Sequence, residues 1–297
     1  MLLEQGQPPR DLATLRALPR LYYAYRNALL HFLLGALLSL YAIFFFKSSS
    51  LFASFGFLAV LVTLLIANEW ERFRKLGLPF KFALLSLCWL AFAAYVVPIV
   101  VGSMGTAVFL MSMLVGCLPL AITASRVKPV MRLILTPLGT VLLGFLTLYF
   151  FRVIPPVPLS IPFIGVYHGV ERTQDTILLT HERPWWRVWH NGDQDFVAQP
   201  GDRIYVYFRV FSPTNFADQI QLRWYRRTPA WTLQDTIPIR ITGGREAGFR
   251  GYGFKTNYED GRWKVQVETA DGREIGRVYF DLLKAPAGPR NFDIEVD

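Results

Sequence analysis

Residues that could do chemistry are few in the C-terminal half of the chain, and their spacing fits none of the common metal sites. His168, His181 and His190 are potential ligands, and Glu182 adjoins His181. Protein zinc sites commonly use His-Glu-x-x-His on a helix or pairs of cysteines, and neither pattern occurs here. We therefore predict scattered surface histidines, with no metal and no cofactor.

The spacing of oxygen-bearing side chains in Asn191-Gly-Asp-Gln-Asp195 resembles a calcium-binding loop. Asp202 follows eleven residues after Asn191, but Phe196 occupies the position where the sharp turn of such a loop needs glycine. The flanking sequence is strand-like rather than helical. A polar hairpin turn is therefore the favoured interpretation.

A serine nucleophile is also not supported. Ser160 and Ser212 are the only serines after Phe151, and neither lies in a Gly-x-Ser-x-Gly motif. We predict no catalytic residue and a protein that is not an enzyme.

Tryptophan and arginine are concentrated in one short segment that does not follow a strand pattern. The residues are Trp185, Trp186, Trp189, Arg183 and Arg187. Binding hot spots are enriched in these two residue types, so the segment is the predicted binding surface. The alternatives are that the tryptophans pack under a loop or rest on the membrane surface.

The elements that carry these residues show the period-2 alternation of strands. Ile204, Val206, Phe208 and Val210 share one face, and similar alternation recurs at intervals of about ten residues up to Leu283. The pattern predicts an all-β, sandwich-like domain over residues 163–297. The predicted core residues are Trp224, Trp263 and Phe280, and the predicted turn glycines are Gly243, Gly244, Gly261 and Gly272. Asp271-Gly272 in particular predicts a two-residue hairpin turn of type I′.

Several of these motifs together resemble a known family. They are Gly243-Gly-Arg-Glu-Ala-Gly-Phe-Arg250, Gly261-Arg-Trp-Lys-Val-Gln-Val267, Asp271-Gly-Arg-Glu-Ile-Gly276 and Ile154-Pro-Pro-Val-Pro158, with Trp224 and Phe280. The last third of the chain thus resembles the bacterial family called domain of unknown function 2914, which often follows a multi-spanning membrane region. The resemblance implies a fold and a membrane context, and no known activity.

The N-terminal half is far more apolar than a soluble domain. Five segments are long enough to cross the ~30 Å hydrocarbon core of a bilayer. They are Ala28–Phe46, Leu51–Asn68, Phe80–Val101, Met104–Ala124 and Val130–Phe151. The fold class predicted is thus a membrane α-helical bundle of five spans followed by the β domain. The domains are a cytoplasmic segment over residues 1–27, the bundle over 28–151, a proline-rich linker over 152–162 and the domain over 163–297. The first apolar run is interpreted as an anchor that is not cleaved.

The basic charge of the chain also belongs to the membrane half. Residues 1–156 hold thirteen Lys/Arg and four Asp/Glu, which accounts for the whole net charge of +9. These bases flank apolar runs, as the positive-inside rule requires, so no nucleic-acid partner is predicted. The rule places the N-terminus in the cytoplasm and the β domain in the periplasm, with the bacterial inner membrane as the location. None of the span cores contains Asp, Glu, Lys or Arg. His31 is therefore the one candidate for an ion path, and an interfacial or inter-helix hydrogen bond is its favoured role.

Three functions follow from this organisation. The favoured one is a non-enzymatic envelope protein that is anchored in the lipid bilayer and binds a protein or a glycan through its exported domain. The second is a structural subunit that packs against another membrane protein through the bundle. The third is a membrane enzyme acting on lipid or glycan, for which Arg152, His168 and Glu171 are the nearest set of side chains.

Overall fold

The structure, a computed structural model, has five helices followed by eleven strands in the part of the chain that it describes. The described residues are 17–47, 55–70, 78–126, 131–173, 176–187, 189–214, 216–243 and 248–297. They divide into two compact units. The first contains the described parts of Met1–Phe46, Phe55–Ala94 and Leu110–Ile154, and the second those of Lys47–Ser54, Tyr95–Phe109 and Pro155–Asp297.

The helices are apolar on all sides. They are α1 (Ala17–Lys47), α2 (Phe55–Glu69), α3 (Leu78–Val101), α4 (Thr106–Arg126) and α5 (Met131–Phe150). On α1, Leu34, Leu38, Tyr41 and Phe45 are buried at helical spacing, whereas Phe32 on another face is 69% exposed. Apolar side chains on both the packed and the open faces are typical of helices surrounded by lipid.

Four of the helices are long and apolar enough to cross a membrane: Ala28–Phe46, Pro79–Val101, Thr106–Arg126 and Met131–Phe150. The remaining helix, α2, has 15 residues, of which Leu58–Asn68 form its apolar part. At 1.5 Å per residue a helix of this length rises only about 22 Å. The first four residues of the predicted span Leu51–Asn68 lie outside the described residues.

A pair of polar side chains joins α1 to α2. The Asn68 side-chain amide donates to the backbone carbonyl of His31 at 2.9 Å, and its carbonyl oxygen lies 2.9 Å from His31 Nδ1. Both residues are buried. The inter-helix hydrogen bond predicted for His31 is therefore confirmed, with Asn68 as its partner.

The second half of the chain is rich in β-strands. They are β1 (Ser160–Tyr167), β2 (Gly169–Arg172), β3 (Ile177–His181), β4 (Asp195–Ala198), β5 (Ile204–Phe211), β6 (Ala217–Thr228), β7 (Ala230–Thr242), β8 (Phe249–Lys255), β9 (Gly261–Thr269), β10 (Glu274–Lys284) and β11 (Asp293–Val296). β1 begins at Ser160, so the last residues of the predicted linker 152–162 belong to a strand.

These strands form three sheets. Their orders are β1-β5-β8, β4-β10-β9-β6-β7 and β11-β3-β2. All neighbours pair antiparallel except β4 and β10, which run parallel. Connections between consecutive strands are short in the β6–β7 and β9–β10 hairpins, which account for most of the largest sheet.

One hydrophobic core is shared by the first two sheets. Val206 and Phe208 on β5 and Trp224 and Val265 in the five-stranded sheet are completely buried. Trp263 and Phe280, each 2% exposed, belong to the same core, and their rings stack with 14° between the planes. The alternation along Ile204–Val210 places the four apolar side chains in this core, as predicted.

The turn glycines have different structural roles. Gly261 and Gly272 have φ of 128° and 78°, whereas Gly243 faces the carbonyl oxygen of Pro213 so closely that a Cβ atom would lie 1.9 Å from it. Gly244 lies outside the described residues.

Within the second unit, the α3–α4 connection contacts the start of β6. The backbone N–H of Met104 donates to the Asp218 carboxylate at 2.9 Å, and the N–H of Ala217 donates to the Gly102 carbonyl at 3.0 Å. Met104 also packs against the hydrophobic core. These contacts fix the connection to the β-sheet.

Candidate functional site

The Trp loop, residues 182–194 between β3 and β4, exposes three large aromatic side chains. Trp185 is 87% exposed, Trp189 67% and Trp186 49%. These fractions show that the tryptophans are not packed beneath the loop. Exposure of an indole is costly because most of its surface is apolar.

The backbone of the Trp loop is held by local hydrogen bonds. The N–H of Arg187 donates to the Pro184 carbonyl at 3.0 Å, and the N–H of His190 donates to the Arg187 carbonyl at 3.2 Å. The Arg183 guanidinium donates to the His190 carbonyl. These bonds close the loop as two successive turns and restrict its backbone.

The C-terminal end of the Trp loop is anchored on β1. Gly192 forms a bridge with Val166, and the N–H of Asp193 donates to the Val166 carbonyl at 2.7 Å. Gly192 has φ of 68°, and a Cβ atom there would lie 2.0 Å from the Val166 carbonyl oxygen. Only glycine permits so close an approach in this conformation.

A cleft of about 280 Å³ lies beside the tryptophans. Its lining residues come mainly from the Trp loop and the start of β4: Glu182, Arg183, Pro184, Arg187, His190, Gly192, Asp193, Gln194, Asp195 and Val197. Both predicted binding arginines, Arg183 and Arg187, therefore line the cleft.

Two of the tryptophans pack against residues of the cleft. The guanidinium carbon of Arg187 lies 5.1 Å from the Trp186 ring centroid, and the rings of Trp189 and His190 are 6.0 Å apart. Trp186 and Trp189 meet edge to face at 5.9 Å. Arg187 also forms an ion pair with Asp195. Four of the five predicted binding residues, all except Trp185, are thus brought together at one concave surface.

A buried polar cluster lies behind the cleft, centred on His168. Its Nε2 atom is 3.5 Å from the Glu182 carboxylate and 3.6 Å from that of Asp193, and its Nδ1 is 3.9 Å from Asp202. Arg290 completes the cluster by pairing with Asp202 at 2.7 Å and with Glu182 at 3.6 Å. The His168 ring stacks on Phe196 at 3.9 Å.

Burial controls the protonation of this cluster. Removal from water, reinforced by the Arg290 charge, lowers the pKa of His168 to about 4. Burial also raises the pKa of Asp193 to about 6, although its carboxylate accepts the N–H of Glu182. His168 is therefore neutral at pH 7, and Asp193 takes up a proton at a higher pH than an exposed aspartate does.

The prediction that the histidines lie on the surface is wrong for two of them. The side chain of His168 is 5% exposed and His181 is 6% exposed. His168 follows the buried Tyr167 at the β1–β2 junction, where tertiary packing overrides the polar character of imidazole.

The residues of the calcium-like loop are directed to separate partners. Asn191 donates to the Ile164 carbonyl, Asp195 pairs with Arg187 and Asp202 pairs with Arg290. Among the described residues, no group of three His, Cys, Asp or Glu side chains is arranged to hold a metal ion.

The remaining candidates lie apart from the cleft. Ser212 is buried after β5, and Ser160 is the first residue of β1. In the proposed membrane-enzyme set, Glu171 is exposed on β2, whereas His168 faces the buried carboxylates. Trp231 lies on β7, where its ring packs 5.8 Å from Tyr279.

Sequence reasoning missed the His168 cluster because its members are far apart in the chain. Arg290 contacts residues that precede it by about ninety positions or more. No short motif connects them, because the members are spread over several connections between strands. The residues of the Trp loop, in contrast, are close together in the sequence.

Taken together, four helices long and apolar enough to cross a membrane, followed by a β-rich domain, are the architecture typical of a membrane protein with a β-rich domain. Residues 217–282 match the model of a family described as "Protein of unknown function (DUF2914)". This confirms the resemblance. The match extends from the first residue of β6 into β10, and the Trp loop precedes it.

Two solved structures show a limited likeness. One is a β-glucosidase from Listeria innocua in complex with gluconolactone, with 12% identity and a TM-score of 0.24 over 39% of this chain and 17% of that chain. The other is a GH3 β-glucosidase from Bifidobacterium adolescentis, with 12% identity and a TM-score of 0.21 over 42% and 17%. This chain spans less than a fifth of either enzyme, and neither likeness carries an argument about its fold or function. The comparison with curated proteins finds no match.

Proposed function

We propose that this chain is a bacterial inner-membrane protein with five spans, whose sandwich-like β domain lies in the periplasm and binds a protein or a glycan through the Trp loop. In this proposal the chain acts by binding and does not catalyse a reaction. The bundle anchors it in the lipid bilayer.

The charge of the connecting segments supports this orientation. Bases cluster between Arg10 and Arg26, and in and next to the α2–α3 and α4–α5 connections, while the α3–α4 connection Gly102–Gly105 has none. Positive segments stay in the cytoplasm. The contact of Met104 with Asp218 requires the α3–α4 connection and the β domain to share one side of the membrane.

The observation that carries the binding function is the exposure of Trp185, at 87%, beside a preformed cleft. Trp224 and Trp263 show that this domain buries indole rings in its core. The Trp loop instead places apolar surface in contact with water, which is typical of a recognition surface. Trp and Arg are the residue types that most often dominate binding energy.

Site-specific crosslinking in native membranes tests this function. A photoreactive amino acid replaces Trp185 in the full-length protein, and crosslinked species are identified by mass spectrometry. We expect one specific partner, and we expect Trp185→Ala/Trp186→Ala to weaken its affinity by at least about 30-fold, which corresponds to roughly 2 kcal/mol.

A matched control variant is Tyr252→Ala/Phe254→Ala, which removes aromatic rings of 43% and 45% exposure from β8. It should leave capture unchanged. Undiminished affinity of a folded Trp185→Ala/Trp186→Ala protein for the crosslinked partner would exclude the Trp loop as the binding surface.

A further inference from the structure

We infer that the cleft beside the Trp loop is a binding site for the ring of a neutral saccharide. This inference rests on the proposed function and specifies the chemistry of the partner. The size, the polar lining, the charge and the aromatic rim of the cleft support it.

The cleft has the dimensions of a site for a small cyclic group. Its volume of about 280 Å³ lies at the lower end of small-ligand pockets, which begin at about 300 Å³. A protein partner that only covered the exposed tryptophans would need no concavity between them and β4. The cleft therefore favours a ring that enters it over a flat surface that lies across it.

The lining of the cleft is suited to hydroxyl groups. Arg187 offers planar N–H donors, and the carboxylates of Glu182 and Asp195 are acceptors. A sugar hydroxyl donates one hydrogen bond and accepts others, so adjacent hydroxyls can bond to a carboxylate and a guanidinium together. The ion pair between Arg187 and Asp195 places one such donor and one such acceptor side by side.

Two lining residues have a polar atom with remaining bonding capacity. Nδ1 of His190 and Nε of Arg183 are buried and have no hydrogen-bond partner among the described residues. Buried polar atoms without a partner are uncommon in folded proteins. Ligand hydroxyls in the cleft would supply the missing bonds.

The charge of the lining disfavours an anionic ligand. Two arginines, Arg183 and Arg187, face three carboxylates from Glu182, Asp193 and Asp195. Arg187 is already paired with Asp195, and Arg183 lies 3.9 Å from Glu295. The cleft therefore holds no excess positive charge for a phosphate, a lipid headgroup or an acidic polymer.

The tryptophans provide an apolar surface at the rim. Trp186 lies against Arg187, and Trp189 lies against His190. A pyranose ring has C–H groups on its faces and hydroxyls at its edge, so it can pack on an indole while its edge bonds to polar side chains. Pockets that combine aromatic surface with a few placed polar groups bind and orient such ligands.

Calorimetric titration of the full-length protein in nanodiscs tests the inference. The probes are cellohexaose, maltohexaose, mannohexaose and chitohexaose, with dextran sulfate as the anionic saccharide and phosphatidylglycerol vesicles as the anionic lipid. We expect at least one neutral hexasaccharide to bind with a Kd below about 1 mM, and we expect neither anionic probe to bind through this site.

Two variants locate the binding. Asp195→Asn keeps the side-chain shape and is expected to weaken binding at least about tenfold, and Trp186→Ala is expected to weaken it similarly. Tyr252→Ala/Phe254→Ala is the control and should bind like the wild type.

Three outcomes overturn the inference: no neutral saccharide binds, binding is confined to the anionic probes, or Asp195→Asn and Trp186→Ala bind like the wild type. The crosslinker at position 185 can still capture a partner, and this capture can be lost when Trp186 is replaced. In that case the proposed function survives and only the saccharide is excluded. If crosslinking also fails, both proposals fall.

Discussion

At the scale of single residues, burial determines what each polar side chain can do. His168 and Asp193 lie 3.6 Å apart and are both removed from water. Their shifted pKa values have opposite effects on stability. His168 has a lowered pKa, so its contribution to folding is present above about pH 6.5 and is lost as the pH falls through about 4. Asp193 has a raised pKa, so its contribution is present in acid and is lost as the pH rises through about 6.

The two effects oppose each other between pH 4 and 6.5, which gives the first prediction. Asp193→Asn removes the stability that the wild type gains from protonation of Asp193. The free energy of unfolding of this variant relative to the wild type should therefore fall as the pH decreases from 7 to 4.5. His168→Gln removes the stability that the wild type loses when its His168 must stay neutral, so the relative stability of this variant should rise over the same range. Each trend should be on the order of 1–2 kcal/mol.

Urea unfolding of the full-length protein in detergent, followed by tryptophan fluorescence, measures these differences at several pH values. Six of the eight tryptophans follow Pro155, so the signal reports mainly on the β domain. Differences from the wild type that stay constant with pH in both variants would show that neither group titrates as described.

The tryptophans illustrate which residue roles the sequence could predict. Trp224 and Trp263 alternate with apolar residues along strands, and both are buried. Trp185 and Trp189 lack such neighbours, and both are exposed. The polar contacts of His168 could not be predicted in this way, because its partners Glu182, Asp193 and Asp202 are 14 to 34 positions away and no short motif connects them.

Trp263 gives the second prediction. Its ring stacks on Phe280, and its indole N–H donates to the Glu259 carbonyl at 2.9 Å. Trp263→Ala should lower the free energy of unfolding by about 3–5 kcal/mol, because it leaves a cavity and an unpaired carbonyl. Trp185→Ala, in contrast, should change it by less than about 0.5 kcal/mol. Equal unfolding midpoints for the two variants in urea would contradict the assignment of Trp263 to the core.

At the scale of elements, turn geometry shows how far a local motif predicts structure. The β9–β10 hairpin forms around Asp271-Gly272, as predicted, but the type I′ turn is wrong. Gly272 has φ of 78°, whereas Asp271 is not among the residues with positive φ. The N–H of Gly272 donates to the Thr269 carbonyl at 2.9 Å, which closes a turn of type I geometry followed by a left-handed glycine.

The side chains around this turn explain the difference. The Asp271 carboxylate accepts bonds from the Thr269 hydroxyl and from Arg273 Nε, the latter at 2.9 Å. Aspartate bonded in this way to residues two positions on either side stabilises a longer loop. Such side-chain bonds compete with the preference of Asp-Gly for a type I′ turn. The sequence pattern alone does not reveal which of the two determines the turn.

Gly272 gives the third prediction. Gly272→Ala places a Cβ atom on a residue with positive φ and should destabilise the β domain by about 1–2 kcal/mol. Gly288→Ala is the matched control, because Gly288 lies outside the positive-φ region and its new Cβ would have an ordinary 4.0 Å contact. Urea unfolding of both full-length variants measures the effect, and equal stabilities would show that the glycine conformation is not required.

At the scale of the whole molecule, the number of spans and the side occupied by the β domain are separate questions. The apolar runs predicted the five helices well, since length and hydrophobicity suffice to identify them. The number of membrane spans depends on α2, which has 15 helical residues in the described part of the chain. A helix this short can span a membrane only where the bilayer thins or where flanking residues extend it.

The positive charges restrict the arrangements that remain. With five spans, the N-terminus and all the basic clusters are cytoplasmic, and the β domain is outside. If α2 does not span, the seven bases in and next to the α2–α3 and α4–α5 connections can stay inside only if the N-terminus is outside. The β domain is outside in that arrangement too. The side of the membrane on which the rule places the β domain therefore does not depend on whether α2 crosses it.

The last prediction separates the two arrangements. A phosphatase fused after Asp297 should be active in either case, and an inactive fusion would overturn both.

Ser49 lies between α1 and α2, so Ser49→Cys should react with an impermeant maleimide in intact spheroplasts if there are five spans. With α2 on the cytoplasmic side, the same cysteine should react only after the membrane is opened. We expect labelling in intact spheroplasts, because the five-span arrangement also keeps Arg10, Arg16, Arg20 and Arg26 in the cytoplasm. Labelling is measured in a background where Cys88 and Cys117 are replaced by Ala, and Ser125→Cys, near the cytoplasmic end of α4, is the control that should stay unlabelled until the membrane is opened.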